Sequence, residues 1–220
     1  MLVLAIDTST PAVTAGVFDA CAGDALAGGG PAVLAQRVTV DARAHAELLS
    51  AHITAALADL GLRLPDVRAI VCGAGPGPFT GLRVGMVTAA ALGDALGVPV
   101  HGVCSLDAVV PPAAGLPSTP YLVATDARRR EVYWAAYDAA HRRTTGPHVR
   151  RPAELAARLG ELGVAWAAGA GARMYADVLG LPVAGPDFPT VAGLAAAAAA
   201  VLGRPPAPLV PLYLRRPDAV

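Results

Sequence analysis

The order of apolar runs over the first hundred residues narrows most sharply what this chain can fold into. "LVLAID" (2–7), "AVTAGVF" (12–18) and "AVLAQRVTV" (32–40) are short, rich in apolar and β-branched residues and bounded by turn residues, so they read as three strands. Their short connections, including "AGGGP" (27–31), predict an antiparallel meander. In "RAHAELLSAHITAALADLGL", Leu49, Ile53, Ala56, Leu57 and Leu60 recur at helical spacing. A helix over about 43–60 follows, with Asp41 as its starting cap and Gly61 as its stop. "VRAIVCGAG" (67–75) is a buried strand, Thr80 to Leu96 a second helix, and "VPVHGV" (98–103) another strand.

The front half therefore runs β-β-β-α-β-α-β, three hairpin-linked strands followed by crossover units that add parallel strands. This is the ribonuclease-H-like order found in each lobe of actin, Hsp70 and the sugar kinases. A chain of 220 residues has room for two lobes of about 100 residues each. "GLPSTP" (115–120) reads as the linker, after which the pattern restarts. Strands are expected at "YLVATD" (121–126), "REVYWAAYD" (130–138) and "VAWAAG" (164–169), and helices near 152–162, 171–179 and 190–202. The boundaries are 1–110 for the first lobe and 111–220 for a shortened second one.

Hydrophobic residues make up 55% of the chain and charged ones 15%, enough to build a core and too apolar for wholesale disorder. No apolar run reaches the roughly 18 residues of a membrane span. Asp7 interrupts the first apolar run, so no secretory signal is read and a soluble, cytoplasmic protein is expected. Cys21, Cys72 and Cys104 form no CxxC pair and read as buried thiols rather than a disulfide framework or zinc site. All 17 basic residues are arginine, which excludes mechanisms needing a Schiff-base or P-loop lysine from this chain.

"GAGPGPFTGLRVG" (73–85) has the glycines of a phosphate-binding loop but not the pattern. No frame supplies Gly-x4-Gly-Lys, proline replaces the third glycine of GxGxxG, and Pro76 and Pro78 each remove a backbone N–H that a phosphate would need. The remaining reading is a rigid turn that delivers Thr80 as an N-cap. Gly85, Ala89, Gly93 and Gly97 then stand four apart, a stripe of small residues on one helix face. Interior glycines cost about 1 kcal/mol each in a helix, so something must pack closely there. It is either another element of this chain or a helix of a second protein. His45, Leu48 and His52 form a side stripe on the preceding helix, and both helices can share one seam. At i and i+7 the histidines lie about 10 Å apart along the axis, too far for one ion.

"LAIDTST", "HAELL", "GAGPGPFTGLRVG", "GVPVHGVCSLDAV", "DARRREVYWAAYD" and "PLYLRR" occur in this order along nearly the whole chain. In these six motifs the chain resembles the TsaB family, also called YeaZ. The resemblance implies an α/β fold of two ribonuclease-H-like lobes of the actin-like ATPase (ASKHA) superfamily, the second shortened. It implies pairing with the related catalytic subunit TsaD, joined by the ATPase TsaE, in forming N6-threonylcarbamoyladenosine in tRNAs that read codons beginning with A. The chain departs from the catalytic relatives at three places. The phosphate turns of the superfamily, Asp-x-Gly, correspond here to Asp7-Thr8-Ser9 and Asp126-Ala127-Arg128, without glycine. The two metal-binding histidines of TsaD-like proteins fall on Ser105 and Val109, with only Asp107 between them, so no catalytic residue, metal or required cofactor is expected in this chain.

The resemblance and the helix pair together give a non-catalytic subunit that docks through His45, Leu48, His52, Arg83, Gly85, Ala89 and Gly93. Alone it is expected to form a homodimer through the same seam, with nucleotide held, if at all, at the subunit junction. Arg83 can serve the partner, a nucleotide or a local carboxylate. Residues 128–151 carry seven arginines against Glu131 and Asp138. Arg142, Arg143, Arg150 and Arg151 are candidates for contacting tRNA phosphates; a solvated arginine face is the alternative. The rival function is a stand-alone enzyme, an ATP-dependent kinase of the actin-like superfamily or a metalloprotease-like hydrolase.

Overall fold

A computed structural model describes residues 1–21, 31–110 and 116–215. Strands β1 (Leu2–Asp7), β2 (Ala12–Asp19) and β3 (Ala32–Val40) form the expected antiparallel meander. Helix α1 (His45–Ala58) leads to β4 (Ala69–Gly73), and α2 (Phe79–Leu96) to β5 (Val100–Val103). Both β4 and β5 add in parallel, giving a five-stranded sheet of order β3-β2-β1-β4-β5. The central strand is apolar on both sides because both are covered. Leu4 and Ile6 pack with Leu49, Ile53, Leu82 and Met86 of α1 and α2, while Val3 and Ala5 pack with Val191 and Leu194 on the opposite face.

The second sheet has the order β8-β7-β6-β9, from β6 (Tyr121–Asp126), β7 (Val132–Tyr137), β8 (Arg143–Arg150) and β9 (Trp166–Ala168). Strand β8 lies outside the sequence reading. "RTTGPHVR" is arginine at both ends and has Gly-Pro in its middle, features that argue against a central strand but are tolerated at a sheet edge, where β8 sits. The helices expected over 152–162 and 171–179 are each broken in two: α3 (Pro152–Ala156) and α4 (Leu159–Leu162), then α5 (Ala170–Met174) and α6 (Ala176–Leu179).

The strands of the first sheet end before residue 110 and those of the second begin at Tyr121, yet chain beyond the second sheet returns to the first. Helix α7 (Val191–Ala198) covers the first sheet: Thr14 donates to the Pro189 carbonyl at 2.9 Å, and the Gln36 side chain accepts from the Val191 amide at 2.8 Å. The tail then runs over both lobes, with Leu209 and Tyr213 against the α1–α2 core and Leu212 and Leu214 against the second sheet. Helix α7 is held by apolar burial against β1 and by the Thr14 hydrogen bond just ahead of it, which spans 175 residues of sequence and which no local pattern encodes.

Two start signals also differ from expectation. Asp41 accepts from the Arg43 amide (2.8 Å) in a turn ahead of α1, whose N-cap is Ala44. Helix α2 starts from Pro78, and Thr80 lies within its first turn. Proline can precede a helix because the missing N–H has no intrahelical partner there anyway.

Candidate functional site

The first strand of an actin-like lobe ends on the turn that meets phosphate, and here that turn is closed. Asp7 is fully buried. Its Oδ1 accepts from the Ser9 amide (2.9 Å) and the Ser9 hydroxyl (2.7 Å), and its Oδ2 accepts from the Ser105 hydroxyl at 2.6 Å. Burial pushes the Asp7 carboxyl above the usual carboxylate range, against the opposing pull of the Ser105 and Ser9 hydrogen bonds. Thr8 donates to the Gly81 carbonyl (2.7 Å) and accepts from the Gly85 amide (2.9 Å), pinning the turn to α2. The glycine loop lies directly on it: a Cβ at Gly73 would fall 1.8 Å from Asp7 Oδ2, and one at Gly77 2.1 Å from the Ser9 carbonyl oxygen. The loop thus shapes the start of α2 and walls in the turn.

The second turn is of a different kind. Asp126 Oδ1 accepts from the Arg128 amide at 2.8 Å, and Arg128, Arg129 and Arg130 all have left-handed backbones, with φ of 60°, 54° and 60°. The Ala127 carbonyl accepts from Arg215 of the tail at 2.8 Å, and Arg215 also pairs with Glu131. Between this hairpin, the Pro78–Phe79 corner and Tyr213 lies a cavity of 210 Å³ lined by Arg128, Arg129 and Tyr133. This positive cleft between the lobes can meet an anion through guanidinium side chains, but neither turn offers a bare glycine backbone.

The positions corresponding to metal ligands do not fit an ion. Ser105 is committed to Asp7 and accepts from the Gly75 amide at 3.1 Å; Val109 is fully buried in an apolar cluster. Asp107 accepts from the Tyr137 hydroxyl at 2.8 Å and faces Arg143 at 3.6 Å. Among the described residues no group of three or more His, Cys, Asp or Glu side chains is arranged to hold a metal.

The seam read from the sequence needs correction. Gly85, Ala89 and Gly93 face this chain's own strands: a Cβ at Gly85 would meet Thr8 Oγ1 at 2.5 Å, one at Gly93 would meet Val100 Cγ2 at 2.3 Å, and Ala89 is fully buried. They let α2 approach its sheet and cannot dock a second protein. His45 is buried with Nε2 2.8 Å from the Thr10 carbonyl, while His52 is half-buried with Nε2 2.9 Å from Thr39 Oγ1. Leu48 is half-buried beside the core. Arg83 is exposed but occupied: it lies 3.8 Å over the Phe79 ring and donates to the Tyr213 hydroxyl at 2.9 Å, and Phe79 stacks on Tyr213 at 5.3 Å. The exposed side chains of the helix pair include Val87, which is 66% exposed, with Ala91 and Ala95 of α2 and Ala51 of α1, interspersed with Glu47, Thr54 and Asp94.

Residues 33–203 match the family model described as TsaD, tRNA N6-adenosine threonylcarbamoyltransferase. The solved structure of YeaZ from Pseudomonas aeruginosa superposes with a TM-score of 0.74 at 26% identity, covering 96% of this chain and 100% of the other. The chain belongs to this family, on its TsaB (YeaZ) branch. An uncharacterised protein of Mycobacterium tuberculosis is 54% identical over 217 residues, 99% of this chain and 93% of the relative. The tRNA threonylcarbamoyladenosine biosynthesis protein TsaB of Escherichia coli is 31% identical over 138 residues, 62% of this chain and 55% of the relative.

The arginines singled out for this TsaB-branch chain are strung along the edge strand β8 rather than gathered. Arg142 and Arg143 lie at its start, Arg150 and Arg151 at its end, some seven residues or about 23 Å apart. Arg142 is paired with Asp138 (2.8 Å), Arg143 faces Asp107, and Arg150 is 4.0 Å from Glu154. Ser105, Tyr213 and Arg215 organise the turns yet escaped the sequence reading as site residues. Their partners lie 98, 130 and 88 positions away, and only the "PLYLRR" motif hinted at the last two.

Proposed function

We propose that this chain is a non-catalytic subunit in the formation of N6-threonylcarbamoyladenosine in tRNA, pairing with a TsaD-like catalytic subunit, with a TsaE-like ATPase as a further partner. The observation that carries this reading is the state of Asp7. Its carboxylate is fully buried, already has three internal donors and lies hard against Gly73, in a turn that Gly77 covers at Ser9, so magnesium or a phosphate-bound water has little access to it. A stand-alone kinase or hydrolase needs such a group in the open. Calorimetric titration of the isolated chain with magnesium ATP tests this: weak or no binding is expected, and micromolar binding with turnover overturns it.

Pairing proceeds through the exposed face of α1 and α2, around Val87, Ala91 and Ala51, and the same face joins two copies when the chain is alone. Val87→Asp is expected to abolish co-elution with the TsaD-like subunit of the same cell while leaving the chain folded, since the side chain is in solvent. Undiminished co-elution refutes this face. Arg142, Arg143, Arg150 and Arg151 contribute a phosphate-contacting edge in the assembled complex, with affinity falling as salt rises. Replacing all four with glutamine is expected to weaken tRNA binding by the complex; unchanged affinity at low salt excludes the edge.

A further inference from the structure

Among the described residues the two sheets have four edges, and three of them are guarded against pairing with another chain. Strand β8 carries arginine at both ends and Pro147 within it. Ala167 of β9 donates to the Pro182 carbonyl and accepts from the Ala184 amide, both at 2.9 Å, so that edge is already bonded. Strand β5 has four residues, with Leu209 of the tail against it at Gly102. The fourth edge, β3, is nine residues long. Its one bulge lies opposite Val17 and Phe18, so the run from Gln36 to Val40 is regular. Val38 and Val40 on this run are 42% and 58% exposed.

Backbone groups along an antiparallel ladder alternate between facing the neighbouring strand and facing away from it. The Asp41 amide donates to the Pro11 carbonyl at 2.9 Å, so Asp41, Thr39 and Arg37 face β2, and the amides and carbonyls of Val38 and Val40 point off the sheet. Unpaired backbone groups flanked by valines are a template for another strand. A second copy of β3 fits this template by charge. Antiparallel pairing about a two-fold axis at Thr39 sets Val38 opposite Val40 and Arg37 opposite Asp41, each twice. Centring on Arg37 would put two guanidiniums face to face, and centring on Val38 would set Arg37 opposite Thr39. Asp41 is exposed, and Arg37, paired with Asp59 within the chain, keeps 39% of its side chain exposed. A guanidinium has donors enough for both carboxylates.

We propose that β3 pairs with β3 of a second copy, antiparallel and centred on Thr39, joining two first-lobe sheets into one. This edge lies on the far side of α1 from α2, so Val87 and Ala91 stay open to a different partner. The test uses the full chain carrying Val87→Asp, which removes the helix-face contact proposed above, and Cys21→Ser, which removes an exposed thiol. Sedimentation velocity across the micromolar range is expected to show a dimer. Adding Val38→Lys, at an exposed position, is expected to weaken dimerisation about tenfold. Facing residues of a non-hydrogen-bonded pair have Cα atoms about 4.5 Å apart, within disulfide reach. Thr39→Cys is therefore expected to give a disulfide-linked dimer on mild oxidation, and Val33→Cys is not. A monomer at every concentration, a dimer that Val38→Lys leaves intact, or equal cross-linking from positions 33 and 39 refutes the pairing.

Discussion

Three donors converging on one buried carboxylate make Asp7 the residue on which the first turn depends. Asp7→Ala strands the Ser9 amide and the hydroxyls of Ser9 and Ser105, each costing about 1–3 kcal/mol when buried unpaired. A loss of at least about 3 kcal/mol in urea unfolding is expected. Asp7→Asn keeps the shape and an acceptor for Ser9, and should stay within about 1 kcal/mol of the parent at neutral pH. The two proteins should differ in pH dependence. Burial raises the folded carboxyl above its unfolded value, so the native state binds the extra proton. The associated stability is full below the ordinary carboxylate range and is lost as pH rises through the raised folded value. Urea midpoints measured upward from acid pH should show this decline in the parent and a flatter profile in Asp7→Asn; identical profiles would contradict it. Asp7, Thr8, Ser9 and Asp126 are legible as turn residues in the sequence because Asx chemistry is local. That Ser105 completes the first turn is not, because β5 must first be set beside β4.

At the scale of elements, α2 shows how a correct pattern can point the wrong way. The four-residue spacing of small side chains identified a close-packed face, but spacing alone does not say whether the approaching backbone is the chain's own. On an outward docking stripe, Gly93→Leu would block pairing in a folded monomer. With Val100 2.3 Å from the added Cβ, the expected outcome is a monomer destabilised by at least about 1–3 kcal/mol through overpacking, seen as a lowered thermal midpoint. Helix α7 has the analogous contact at Gly193, where a Cβ would fall 1.9 Å from the Ala108 carbonyl oxygen. Its cap is conventional: Thr190 accepts from the Gly193 amide at 3.0 Å. Thr190→Ala should cost about 1 kcal/mol, and a thermal midpoint equal to the parent's would show that burial alone holds the helix.

For the whole molecule, the tail and the segment after β5 decide how the two sheets meet. Cys104, Leu106, Val109 and Val110 pack on Tyr121, Tyr137 and Trp166 of the second sheet, while Ala108 packs with α7 on the first. No helix of the described residues is long and apolar enough to cross a membrane. The tail closes the cleft through Tyr213 on Phe79 and Arg215 on the Ala127 carbonyl. Tyr213→Ala combined with Arg215→Ala should speed amide exchange at 77–83 and 126–131 and leave the centres of both sheets protected, since those contacts are local to the cleft. Loss of protection throughout would mean that the tail holds the fold itself.

By itself the sequence determined the strands of the first lobe, the two helices beside them and the absence of glycine from both phosphate turns. These depend on alternation, helical spacing and turn chemistry, all set by neighbours along the chain. Only the tertiary structure decided that the glycine stripe faces inward, that α7 crosses back to the first sheet, and that Arg83 serves Phe79 and Tyr213. Each of these is a choice of partner among distant apolar or polar groups, made by burial and close packing in three dimensions, and a linear pattern carries no record of it.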